Sequence, residues 1–286
     1  MKTSLVIINY NDYEMTKRLL LNVKDYKILE KIVIVDNHST DNSYEKLKKF
    51  ENKKIDVIKN YESRNFASGL TMGAKYVIKK LGKCNIIFSN ADIIIKNEQD
   101  IYMLSSNINE DIGIVGPVIS QHGEINRGWK ISTPFQEILY NLPFVSRYFK
   151  KKFLYYNNQH YLKDLVEVDV VSGCFFVVSS DLLEKINYFD VNTFLYYEEN
   201  ILAKRVEKVG MKIVIDNRVT IIHDHSITID KSFKRIDKYK ILKNSQRYFV
   251  KEYLDANSFE LLLLFITNKF SLFLLYIRCF IGGFRK

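Results

Sequence analysis

Three apolar runs near the start of the chain end in polar side chains. "SLVIINYN" closes on Asn9 and Asn11, "KIVIVDNHSTDN" on Asp36 and Asn37, and "CNIIFSNADI" on Asn90 and Asp92. A strand-end turn or a helix cap explains any one of these residues. Three such sets together favour a ligand pocket, because open α/β sheets bind ligands beyond the carboxyl ends of their strands. A carboxylate at Asp36 can accept hydrogen bonds from a ribose or a base edge. A carboxylate at Asp92, beside a phosphate site, suits a hard divalent cation that keeps waters and substrate phosphate oxygens as further ligands. Such a metal would neutralise a diphosphate leaving group as its bond to carbon breaks. Asn90 is placed to support the nucleotide or a metal-bound water.

Later in the chain, "YYEENILAKRVEKVG" puts Glu198 and Glu199 at the start of a helix, and "IIHDHS" ends a strand on His223 and His225. Acids in a first helical turn complement the helix dipole; a carboxylate there can equally take the proton of an attacking hydroxyl. A neutral imidazole completes a metal site or contacts diphosphate, and either His223 or His225 fits that role. Asp224, between them, is the supporting or solvated residue. Trp129 and the aromatic, basic stretch "SRYFKKKFLYY" offer a platform for an acceptor sugar, although core packing explains most aromatics.

The elements that must position these residues follow from periodicity. Met15, Leu19, Leu20 and Val23 recur at helical spacing after the first strand, and "SYEKLKKF" reads as a short helix after the second. "IDVIKN" reads as a third strand, Leu70, Ala74, Val77 and Leu81 share a helical face, and "CNIIFSNADI" is the fourth strand. Strands alternating with helices indicate βαβ units and a mostly parallel sheet. Beyond it, "IGIVGPVI" is a strand and Glu124 to Asp164 is irregular. "VEVDVVSGCFFVVSSDLLEKI" is a strand pair leading into a helix capped by Ser179 or Ser180. A helix ending at Gly210 is followed by two strands, "KIVID" and "VTIIHDHS".

The chain of 286 residues is long enough for a sizeable core, and 47% hydrophobic residues with only 11 Gly and 3 Pro mark a folded protein. Its formal charge of +10 favours an anionic partner: nucleic acid, an anionic membrane or a phosphate-bearing substrate. No nucleic-acid recognition motif is present, and nucleic acid is not expected as a partner. No G-x-G-x-x-G follows the first strand and no G-x-x-x-x-G-K-[ST] occurs, which argues against a dinucleotide oxidoreductase and a P-loop NTPase. Three scattered cysteines (Cys84, Cys174, Cys279) form neither a disulfide framework nor a zinc pattern. With an N-terminus that enters a strand at once and has no signal-peptide layout, they favour a reduced, cytoplasmic setting as the expectation. The tail "SFELLLLFITNKFSLFLLYIRCFIGGFRK" is apolar but broken by Asn268, Lys269 and Arg278. Lys231, Lys234, Arg235, Lys238, Lys240, Lys243, Arg247 and Lys251 precede it. Basic residues leading into an apolar helix fit a segment lying on an anionic bilayer; a C-terminal helix packed on the core with a solvated basic face is the alternative.

"SLVIINYND", "IVIVDNHSTDNS", "NFASGLTMGAK", "FSNADI", "VSGCFFVVSSDLLEKINYFD", "FLYYEENILAKRVEKVG" and "IIHDHS" occur in the order and approximate spacing of glycosyltransferase family 2. The chain resembles its bacterial rhamnosyltransferase-like branch over roughly residues 3 to 250. The resemblance implies an α/β GT-A fold: a Rossmann-like, mostly parallel central sheet flanked by helices, here with a C-terminal helical extension. It implies a nucleotide-diphosphate sugar donor, magnesium or manganese, and inversion at the anomeric carbon. By it, Asn9 and Asn11 line the nucleotide pocket, Asp36 takes the place of the uracil- or thymine-binding carboxylate, and Asn37 lies beside it. Asn90-Ala91-Asp92 stands at the Asp-x-Asp-type motif with Asp92 as metal ligand. Ser172 and Gly173 lie under the sugar, Asp190 precedes the acceptor loop, Glu199 is the general base with Glu198 beside it, and His223 matches the late His. The pair departs from the usual Glu-Asp, which shifts the carboxylate by about 1.5 Å, one carbon–carbon bond. Ile201 stands where an Asp is common, Ser63 and Asn65 where Asn and Gly are usual, and Lys243-Asn244 where Arg-Asn is frequent.

The expected organisation is a GT-A domain over residues 1–230, with a nucleotide-sugar half to about 120 and an acceptor half beyond it. A basic, then apolar, membrane-associating tail occupies 231–286. The expected activity is transfer of a sugar from a dTDP-rhamnose or UDP-hexose type donor to a hydroxyl of a lipid-linked or growing cell-surface polysaccharide. It would take place peripherally, at the inner face of the cell membrane. A homodimer is compatible with this reading. The alternative is a nucleotide-sugar or saccharide-binding protein of the same fold without turnover.

Overall fold

A computed structural model describes residues 1–61, 65–224 and 235–283. Ser63, His225, Lys231 and Lys234 lie outside the described residues. The parallel half of the sheet is built from β1 (Lys2–Asn9), β2 (Leu29–Asp36), β3 (Ile55–Lys59) and β4 (Cys84–Asn90) in the order β3-β2-β1-β4. Between them run the helices α1 (Tyr13–Val23), α2 (Ser43–Lys48) and α3 (Phe66–Leu81). β1 is buried from Thr3 to Asn9, as a strand covered on both faces must be. Its alternation sends Val6 and Ile8 to one face, against Leu70, Ala74 and Val77 of α3. Leu5 and Ile7 go to the other, against Leu19 and Leu20 of α1. α3 lies close on the sheet because Gly73 has no side chain: a Cβ there would sit 2.4 Å from Val6 Cγ1.

Register aligns the strand ends. Asn9 pairs with Asp36, Asp36 with Lys59, and Ile8 with Asn90, so the polar termini of β1, β2 and β4 share one rim. After β4 come β5 (Ile93–Ile94), α4 (Glu98–Ser106) and β6 (Ile112–Gln121). The stretch from Glu124 to Asp164, expected to be irregular, holds β7 (Glu124–Asn126) and three short helices. These are α5 (Pro134–Leu139), α6 (Pro143–Tyr148) and α7 (Lys150–Leu154), followed by a 3-10 turn at Asn158–Leu162. Thr133 and Gln136 form a reciprocal cap on α5, and prolines open α5 and α6.

β8 (Leu165–Val168), β9 (Phe175–Ser179), α8 (Ser180–Lys185), α9 (Glu198–Lys208) and β10 (Lys212–His223) complete the sheet. β9 runs antiparallel between β4 and β6, and β10 is parallel to β6. The second half of the sheet is therefore mixed. The Ser179 hydroxyl accepts from Leu182 N–H at 3.1 Å and caps α8. The two late strands expected from sequence are one strand, β10, whose register with β6 slips between Asp216 and Thr220. Asp216 absorbs that slip by accepting from the backbone and guanidinium of Arg218. Two C-terminal helices follow: α10 (Arg235–Tyr253) and α11 (Ser258–Gly283). Leu264 of α11 packs on Ile138 of α5 and Val250 of α10, while Phe259, Leu262, Ile266, Phe273 and Phe280 are exposed. Among the described residues α11 is the one helix long and apolar enough to cross a membrane, by length and composition only.

Candidate active site

A cavity of about 630 Å³ opens beyond the strand ends. One wall is the rim itself: Ile8, Tyr10 and Asp12 after β1, Asn37 after β2, and Asn90 to Asp92 after β4. The facing wall carries Ser172 to Cys174, Glu198 to Asn200 and His223. Trp129, Tyr140, Leu154, Tyr155 and Phe194 form an aromatic and apolar end.

Asp92 is 7% exposed, and its Oδ1 lies 3.1 Å from His223 Nε2. The two are brought together by antiparallel pairing of β5 with β10, in which Ile93 opposes His223. The Asp224 N–H clamps the end by donating to the Asp92 carbonyl at 2.9 Å. The Asp224 carboxylate turns outward to Arg18 at 2.6 Å. Among the described residues no group of three or more His, Cys, Asp or Glu gathers as a metal cage. Asp92 and His223 supply one carboxylate and one imidazole, which fits a hard cation that draws its other ligands from substrate phosphate and water.

Glu198 and Glu199 occupy the first turn of α9, after Tyr196 and Tyr197. Both tyrosines are left-handed, with φ of 74° and 69°, a conformation rare for bulky residues. The Tyr197 hydroxyl holds this turn by donating to Glu137 Oε2 at 2.7 Å. Glu137 also accepts from Gln246 Nε2 at 2.7 Å and from the Ser132 hydroxyl. Burial, and then the neighbouring Glu199 charge, push Glu198 up to about 8 against backbone N–H groups that favour its ionised form. Burial likewise raises Glu199, opposed by its own N–H and that of Gly173. Gly173 is essential to this packing: a Cβ there would lie 2.5 Å from Glu199 Oε1.

Between the two acid sites lies Cys174. Burial pushes its thiol up to about 12, against a hydrogen bond from Ser172 and with the Asp92 and Glu199 charges adding to the shift. The cavity thus gathers Asn37, Asn90, Asp92, Ser172, Gly173, Glu198, Glu199 and His223.

Four residues expected at the site lie elsewhere. Asn9 and Asp36 are fully buried beneath the rim, with Asn9 Nδ2 donating to Asp36 Oδ2 at 2.8 Å and the Thr16 hydroxyl to Asn9 Oδ1 at 2.8 Å. Asn11 turns to the loop after β2 and accepts from Thr40 N–H at 2.7 Å. Asp190 lies outside the cavity and receives the hydroxyls of Tyr248, at 2.8 Å, and Tyr253. Its carboxyl is held below the usual range because these bonds and two from Asn192 outweigh burial. Tyr10, Asp12 and Glu137 were not singled out from the sequence. Tyr10 and Asp12 flank the Asn11 that was, and only the register of the chain past β1 decides which of the three faces the cavity.

Residues 4–186 match the family model described as glycosyl transferase family 2. The low-salt glycan biosynthesis hexosyltransferase Agl10 of Haloferax volcanii is 24% identical over 228 residues, covering 78% of this chain and 67% of that protein. The crystal structure of GalNAc-T7 with UDP, GalNAc and Mn2+ superposes with a TM-score of 0.59 at 17% identity. That match covers 78% of this chain but only 44% of the other. The mannosyltransferase PcManGT from Pyrobaculum calidifontis, solved with GDP-Man and Mn2+, gives a TM-score of 0.58 at 12% identity, covering 95% of this chain and 72% of that one.

Proposed function

The chain belongs to glycosyl transferase family 2 and has a GT-A fold, and from that premise we propose that it is an inverting, metal-dependent hexosyltransferase. Its donor is a nucleotide-diphosphate sugar of the dTDP-rhamnose or UDP-hexose type. Its acceptor is a hydroxyl of a lipid-linked or growing cell-surface polysaccharide. The observation that supports this most is that the Asp92–His223 pair and the Glu198–Glu199 pair line one cavity.

Asp92 and His223 would hold magnesium or manganese, which when bound supplies positive charge for the departing diphosphate. Asn37 and Asn90, with Tyr10 and Asp12, line the nucleotide wall. Asn9 and Asp36 act from beneath by fixing the ends of β1 and β2 to each other. Glu199 Oε1, packed on Gly173, accepts the proton of the acceptor hydroxyl as that oxygen bonds to the anomeric carbon and the bond to diphosphate breaks. Attack from the face opposite the leaving group inverts the centre. Burial makes Glu199 a stronger base than a solvated carboxylate, and Glu198 beside it carries the shared proton at neutral pH. Residues 1–230 form the catalytic domain, and the segment beyond it associates with the inner face of an anionic membrane through α11.

Glu199→Gln should abolish transfer while leaving manganese-dependent nucleotide binding intact. Equal activity of parent and variant would remove Glu199 as the base. A parent that binds nucleotide sugar but never turns it over would point instead to a binding protein. Thermal stabilisation by a panel of nucleotide sugars, with and without manganese, would identify the donor.

A further inference from the structure

The segment α6–α7 leaves a chemistry unused by the cavity. Tyr148 is 61% exposed, Phe149 50% and Phe153 41%, although all are large aromatic residues. Phe149 and Phe153 stack at 6.3 Å, one turn apart. Arg147, Lys150, Lys151 and Lys152 interleave them, all exposed, and no acidic residue occurs between Glu137 and Asp164. Lys150, Leu154 and Tyr155 of the same segment line the cavity, while Tyr148, Phe149 and Phe153 do not. The segment therefore flanks the cavity and presents a separate face to solvent.

This face lies close to the C-terminal helices. Lys150 Nζ sits 5.4 Å from the centre of the Tyr140 ring at the end of α5. Its charge also helps hold Lys243 of α10 down, to about 8, behind burial as the main cause and against the Glu137 charge. On α5 itself, Ile138 packs on Leu264 of α11, and Asn141, just beyond it, donates to the Thr267 hydroxyl at 3.0 Å. α6–α7, α10 and the exposed apolar helix α11 thus meet around α5.

We infer that α6–α7 is a second lipid-contacting element, which together with α11 seats the cavity against an anionic bilayer so that the acceptor is taken while still anchored there. This rests on the membrane-associated reading above. Exposed aromatics between lysines match the interfacial zone, where rings sit at headgroup level and basic heads meet lipid phosphate. A second copy of the chain fits less well, since an isologous contact would bring this uniformly basic face against itself.

The test uses the full chain with Tyr148→Cys carrying an environment-sensitive dye, in a Cys279→Ser background because Cys84 and Cys174 are buried. Vesicles of phosphatidylcholine mixed with phosphatidylglycerol should shift the dye emission to the blue; phosphatidylcholine alone should not. Without the dye, Lys151→Gln/Lys152→Gln should weaken partitioning on the order of 25-fold, about fivefold per basic side chain near an anionic leaflet. Phe149→Ser/Phe153→Ser should weaken it too, and both variants should bind nucleotide with manganese as the parent does. A chain that binds vesicles with its dye unshifted would overturn the inference while sparing membrane docking by α11. A chain that ignores vesicles would overturn both. A dye shift that follows protein concentration without lipid would assign the face to self-association and overturn the inference.

Discussion

Glu198 and Glu199 are adjacent acids in one cavity, and they cannot both ionise without mutual repulsion. With Glu199 as the base and Glu198 protonated at neutral pH, Glu198→Gln keeps that neighbour uncharged and should leave the acidic limb of a kcat/KM profile in place; a limb that moves would mean that Glu198 is ionised beside the base. The same variant has a stability signature. Glu198 titrates at about 8 when folded, against 4.5 as its ordinary value. Its contribution is thus fully present below the ordinary value and is lost as pH rises through the folded one. Thermal unfolding should show Glu198→Gln gaining on the parent as pH rises from 4.5 to about 8, keeping that gain above it and converging with the parent in acid. Gly173→Ala would place a Cβ 2.5 Å from Glu199 Oε1. A displaced base costs on the order of 100-fold in kcat, with nucleotide affinity retained. At this scale the sequence revealed which polar residues stand at strand ends, and Asp92, Asn37 and Asn90 do reach the cavity. Nothing in it reveals that Asn9 and Asp36 face each other, because that depends on side-chain direction in a paired register. Two left-handed tyrosines before α9 also leave no signature, since tyrosine has no preference for that conformation.

The elements were legible where periodicity was long and strong. β1 to β4 and α1 to α3 lie where alternation and helical spacing put them. The helices α5, α6 and α7 escaped because each is of six residues or fewer, too short to show a period and marked only by prolines and a cap. β10 was split in two because Asn217 and Arg218 interrupt its apolar pattern, while pairing with β6 carries it through the slip. Asp190 belongs to this scale. It ties the loop after α8 to α10 through two tyrosine hydroxyls. Asp190→Ala should destabilise the fold by about 1–3 kcal/mol, since charged acceptors make the stronger hydrogen bonds. Calorimetry should record a lower Tm, with nucleotide affinity unchanged. An unchanged Tm would mean that α10 is held by its other contacts, among them the Gln246 amide on Glu137, without the Asp190 tie.

For the whole molecule, composition and the alternation of strands and helices were enough to indicate a layered α/β protein, and the ordered motifs its family. Deleting residues 258–286 should release the chain from anionic vesicles; unchanged co-sedimentation would defeat anchoring by α11. Replacing the exposed Phe265, Ile266 and Phe273 by Ser gives the same test without uncovering Ile138 and Val250. The expected division near residue 120 has no counterpart in the sheet, because β9 lies between β4 and β6. The order of synthesis gives that arrangement a cost. A nascent chain that has emerged only as far as the cavity's aromatic wall carries β4 and β6 as unpaired edges, which invite association with other chains. The centre of the sheet closes only after the ribosome releases Phe175 to Ser179, so a translational pause just before that point should raise the demand for chaperones.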